Sequence, residues 1–267
     1  MRKDFTRIFI IFLTVLTLET NNISFAETLN GAVNENQIIE IGKSFKVVDS
    51  KTGRPISNAN VTIPSMGLST KTDSQGYFSI KANLNGPAIL GISADGYNPF
   101  SLTVEKDNLN KPFTVGLSKT SSNVLVVDET LRHLGDNNFS PSSANAEEFQ
   151  ISAGGSTFNK RFYVGDVPAD QKASLKIGSI IGLDTLISRK LSHIKINSYS
   201  TPSTIYLNSK KIGELRINGD NQVISFPAAL LIPNSLNELS VQTGHNEVSN
   251  YLDYDDMEFM NITIAFK

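Results

Sequence analysis

From Phe45 onward, hydrophobic and polar positions alternate in short runs, and turn residues interrupt them about every ten positions, the pattern of an all-β chain. "FKVVD" leads into the turn "SKTGRPI", and "ANVTI" follows with Val61 and Ile63 on one face and Thr62 on the other. "LSTKT" and "YFSIKA" flank "DSQG", a turn closed by glycine. "AILGISA" points Leu90, Ile92 and Ala94 inward, and "FSLTVE" and "PFTVGLS" complete a set of roughly seven strands. The polar joint "SKTSS" at 118–122 marks a boundary. Beyond it the runs "NVLVVD", "FQISA", "TFNKRFYV", "KASLKIGSI", "SHIKINS", "STIYLNSKKIGEL", "QVISFPAALL", "NELSVQTG" and "FMNITIAF" predict roughly eight or nine strands, a number suited to a jelly-roll sandwich.

The start of the chain has another texture. Arg2, Lys3 and Arg7 precede an apolar run from Ile8 to Leu18, and Ser24-Phe25-Ala26 fits a small-x-small cleavage site. Residues 1–26 therefore read as a signal peptide, and 27–44 as a polar linker. The apolar run falls short of the ~20 residues that span a bilayer, so no transmembrane segment is expected after cleavage. Export implies a secreted, periplasmic or cell-envelope location, and a composition rich in Asn, Lys and Ile associates it with bacteria. The chain has no cysteine, which excludes disulfides, thiol catalysis and cysteine metal sites. A net charge of −2 without long basic runs argues against nucleic-acid partners.

Two resemblances follow from these runs. "VVDSKTGRPISNANVTI", "STKTDSQGYFSI" and "LGISADGY" resemble the carboxypeptidase regulatory-like domain, a small transthyretin-like Greek-key sandwich, over residues 45–118. Such domains share no catalytic residues, so Asp49, Thr52, Gly53, Asp73 and Gly76 read as turn chemistry. "LRHLGDNNF", "ANAEEFQ", "IYLNSKKIGEL", "LIPNSLNELSVQTG" and "DYDDMEFMNITI" make residues 119–267 similar to the galactose-binding-like jelly rolls, carbohydrate-binding-module-like sandwiches found beside polysaccharide-degrading enzymes.

The last strand is preceded by Asp253, Asp255, Asp256 and Glu258. Unbroken alternation back from Phe266, Ile264 and Ile262 places Glu258 and Asp256 on the inward face, where an unpaired charge is costly and a divalent cation is a natural partner. A bulge at Met260–Asn261 would instead send Met257 and Phe259 inward and the acids outward. The reading adopted is the unbroken one. The galactose-binding-like resemblance then implies a structural calcium held by Glu258, Asp136 and Asn138 with backbone oxygens of residues 132–135, calcium requiring six to eight oxygens. A solvated acidic turn is the alternative, and Asp253 and Asp255 are expected to face water.

The residues give no catalytic set. The three histidines lack metal-ligand spacing, no nucleophile elbow occurs, and adjacent Asp255 and Asp256 point apart on a strand. No enzyme is expected. The longest polar loop, 243–256, offers His245, Asn246, Asn250 and Tyr251 as a hydrogen-bonding and stacking set in a chain without tryptophan. The sequence thus predicts an exported, non-catalytic protein whose partner is a glycan. The alternatives are an adhesive subunit that binds an envelope protein through its sheet edges, and a hydrolase with an unrecognised site.

Overall fold

The computed structural model describes residues 39–41, 45–106, 112–145, 148–167, 172–193, 197–248 and 250–266. The predicted signal peptide lies outside them. Among the described residues the fold is nearly all-β, with brief helical turns and one short helix.

The first group of strands is β1 (Ile39–Ile41), β2 (Phe45–Asp49), β3 (Asn60–Ile63), β4 (Leu68–Lys71), β5 (Ile80–Ala82), β6 (Ala88–Ser93), β7 (Phe100–Val104) and β8 (Phe113–Leu117). An antiparallel sheet in the order β4-β3-β6-β7 faces a parallel β2-β8 pair across a core that includes Val47, Val61, Ile63, Leu90, Ile92 and Val115. β1 falls in the stretch read as linker and pairs with β5. The turns are built as their chemistry requires. Asp49 Oδ1 accepts from the N–H groups of Lys51 and Thr52 while Gly53 takes φ 69°. Asp73 does the same for Gln75 and Tyr77, beside Gly76 at φ 80°.

The second group comprises β9 (Val124–Asp128), β10 (Arg132–Leu134), β11 (Thr157–Val164), β12 (Lys172–Ile181), α1 (Leu186–Leu191), β13 (Ser203–Leu207), β14 (Lys210–Leu215), β15 (Gly219–Pro227), β16 (Ser235–Gln242) and β17 (Met257–Phe266). One sheet runs β10-β17-β12-β15, with β9 also on β17, and the other runs β11-β16-β13-β14. Their inner faces share one core. "FQISA" forms no strand, and the described part of "SHIKINS" forms none either. β10 and α1 had no counterpart in the sequence pattern.

The register of β17 corrects the expectation of unbroken alternation. Ile264 and Ile262 face the core, but so do Phe259 and Met257, so the inward face changes parity between them. Asn261 sits at the change in the left-handed conformation, φ 63°, a region where asparagine is tolerated better than most residues. Its neighbour β12 changes face at the same level: Ile177 and Ile180 both enter the core, with Gly178 between them. Because both strands turn together, their pairing stays in register, while β9 slips against β17 between Ile262 and Thr263. The acids are therefore expelled from the sandwich core.

They are nevertheless buried, because that outer face is covered. Met260 and Ile181 pack with Ile89 of β6 and with Leu131, and Phe149 and Ile151 lie against them. Two glycines permit the close approach of the two strand groups. A Cβ on Gly91 would fall 2.5 Å from Met260 Cε, and one on Gly178 would fall 2.3 Å from Ser101 Oγ. Asp220 then accepts from both Thr103 N and Thr103 Oγ1, at 3.0 and 2.9 Å.

Candidate functional site

The acids that crowd the start of β17 gather the loops at that end of the second sandwich. Asp253, expected in water, is fully buried. It accepts from Asn138 Nδ2 (2.6 Å), Ser143 Oγ (3.1 Å), Ala144 N (3.1 Å) and Asn246 Nδ2 (3.0 Å). Asp256 accepts from His133 Nε2 (2.9 Å), Asn137 N (3.1 Å), Asp136 N (3.3 Å) and Asn145 Nδ2 (2.9 Å). Gly135 is required here, since at φ 147° its Cβ would lie 2.2 Å from the Asp256 carboxyl carbon. Asp255, also expected in water, is buried and accepts from Ser200 Oγ at 2.6 Å and from Asp184 N. Burial, then the nearby Asp184 charge, raise the Asp255 pKa well above the ordinary value. Arg189 answers Asp184 at 3.0 Å and donates to the carbonyl of Ala144. Long loops carry backbone N–H groups that no ladder satisfies, and here buried carboxylates collect them.

His133 is held at both nitrogens by acceptors, Ile151 O at 2.5 Å and Asp256 Oδ1 at 2.9 Å. A proton on each nitrogen, the imidazolium form, would satisfy both acceptors at once. Burial opposes the charge, and the bonds to Asp256 and Ile151 outweigh it, raising the pKa. Glu258 stands directly across from His133 and from Ile181. It is 1% exposed, and its Oε1 has no hydrogen-bond partner. Burial pushes its pKa up to about 7 against the opposing pull of His133. Glu258 lines a cleft of about 720 Å³ with Ser65, Leu84, Glu148 and Phe149.

Of the residues expected around calcium, Asp136 and Asn138 lie together, and Glu258 has other neighbours. Asp136 spends its carboxylate on Asn138 N (3.0 Å) and Tyr254 N (2.8 Å), and Asn138 turns its amide nitrogen to Asp253. The neighbours of Asp136 and Asn138 are thus Asp253, Tyr254 and Asp256, whereas Glu258 faces His133. Among the described residues no group of three or more His, Asp or Glu is disposed to hold a metal. The carboxylates of Asp136, Asp253 and Asp256 are instead each engaged by backbone N–H donors.

The loops so anchored border a second cleft of about 400 Å³, lined by Ser142, Asn197, Ser198, Asn246, Val248, Asn250 and Tyr251 among others. Three of the four predicted ligand residues meet there. Tyr251 keeps 55% of its surface exposed, and its hydroxyl lies 3.2 Å from Ser142 Oγ. Asn250 is exposed. Asn246 is buried and fully used, donating to Asp253 and Ser142 O and accepting from Val248 N, so it positions the loop. His245 turns away: its backbone bridges Tyr254, and its Nδ1 lies 3.3 Å from Thr201 Oγ1. Ser142, Asn197 and Ser198 line it as well and were not singled out from sequence.

Residues 45–127 match the family model of the CarboxypepD_reg-like domain, a stretch that runs through β2–β8 and ends in β9. No curated protein matches the chain.

Proposed function

We propose that this is an exported, non-catalytic binding protein that engages carbohydrate through the Tyr251 cleft, its second sandwich being of the galactose-binding-like kind. The observation that carries the reading is a half-exposed tyrosine ring beside amide and hydroxyl groups on anchored loops. A ring face suits the apolar side of a sugar, Asn250, Asn197 and Ser142 suit its hydroxyls, and anchoring lowers the entropy lost on binding. The test is retention of the full mature chain on immobilised polysaccharides. Tyr251→Ala should weaken retention about tenfold, equivalent to about 1.4 kcal/mol, while Tyr77→Ala, remote in sequence and also exposed, should not. Reducing-sugar release that disappears in Glu258→Gln would overturn the non-catalytic part of the reading.

A second reading is docking of an envelope protein along β11. This strand pairs with β16 at the end of its sheet, and its Tyr163 and the cross-strand partner Leu236 are 58% and 60% exposed. Tyr163→Lys should abolish co-purification of such a partner and leave polysaccharide retention unchanged.

A further inference from the structure

The parity change that expels the acids also drives Asn261 into the space between the two strand groups, where a cavity of about 280 Å³ lies. Its walls come from both sides: Asn98, Phe100, Ser101 and Leu117 from the first group, Lys176 and Asn261 from the second. Asn261 is 3% exposed, yet neither its Oδ1 nor its Nδ2 has a hydrogen-bond partner. Ser101 Oγ, on an equally buried residue, and Asn98 Oδ1 are also unpartnered. Native proteins seldom leave such groups unpaired, and several converging on one cavity point to an occupant that pairs them. Lys176 is half-buried, and among the described residues it makes no ion pair. Gly178 keeps the cavity polar by letting Ser101 reach it.

We propose that this cavity is a ligand site for a small hydroxylated carboxylate of monosaccharide size. A side-chain amide offers one donor and one acceptor to adjacent hydroxyls, Ser101 and Asn98 add a hydroxyl and an acceptor, and Lys176 supplies the positive charge for a carboxylate. Phe100 and Leu117 give the apolar wall that a sugar ring covers. The volume is close to the lower end of small-molecule clefts, roughly 300 Å³. The site is separate from the Tyr251 cleft and shares no residue with it.

The test is calorimetric titration of the full mature chain with glucuronate, and with glucose as the neutral comparison. Saturable binding of glucuronate, at least tenfold tighter than of glucose, is expected. Lys176→Gln should erase that preference. Asn261→Gly, which keeps a left-handed backbone accessible, should weaken both sugars about tenfold. Tyr251→Ala should change neither, which separates this site from the one proposed above. Should either variant lose its native circular dichroism, Ser101→Ala replaces it and is expected to weaken binding as well. Absence of saturable glucuronate binding, or binding indifferent to Lys176, Asn261 and Ser101, would overturn the proposal and leave ordered water as the occupant.

Discussion

Replacing Glu258 by glutamine keeps the shape of a buried side chain and removes its titration. In the folded protein burial pushes this carboxyl up from 4.5 to about 7. Between those values the native state holds a proton that the unfolded chain has released, so unfolding free energy falls as pH rises. One unit of displacement corresponds to about 1.36 kcal/mol, giving the wild type a loss of about 3 kcal/mol once pH 8 is passed. His133 pulls the same way: its pKa is raised, so its contribution is complete below its unfolded value near 6.5 and is lost as pH climbs through the folded one. Its titration, and that of Asp255, is largely common to both proteins. Urea unfolding followed by tyrosine fluorescence, the chain having no tryptophan, should therefore be run on wild type and Glu258→Gln at pH 5 and 8.5. The glutamine variant should gain about 2–3 kcal/mol on the wild type across that interval. A difference between the two proteins that stays flat with pH would refute the buried, unpaired state of Glu258.

Other outcomes follow from the same contacts. Asp253→Ala removes the acceptor of four donors on two loops and should cost about 3 kcal/mol or more, with loss of polysaccharide retention; a melting temperature within a degree or two of wild type would contradict its role. Chelation by EDTA should leave the melting temperature unchanged, because the carboxylates near Asp136 are already engaged by N–H groups; a clear fall would restore a calcium site. Gly178→Ala sets a methyl against Ser101, Asn261 and the Met260 carbonyl, and should destabilise by about 1–3 kcal/mol in thermal unfolding.

How much of this was legible depended on how local the cause was. The strand runs and the Asp49 and Asp73 turns depend on neighbours within a few residues, and the sequence displays them. β10 is three residues long and α1, "LISRKL", is too short to set up a helical period. The register of β17 turned on a single left-handed asparagine facing a glycine on another strand, and the second partner is invisible from the strand itself. The acids were visible as acids, but their use was not. The N–H groups that occupy them belong to residues such as Asn137 and Ala144, more than a hundred positions earlier. The same loop pattern that grouped Asn246, Asn250 and Tyr251 correctly could not reveal that His245 faces Thr201.

The claim beneath the rest is that buried carboxylates at the start of β17 clamp the loops around the Tyr251 cleft. Amide hydrogen exchange at Asn137, Ala144 and Asp184 reads it directly, since each donates to Asp256, Asp253 or Asp255. Protection approaching that of β17 itself is the expected result. Exchange at the rate of an open peptide would contradict it.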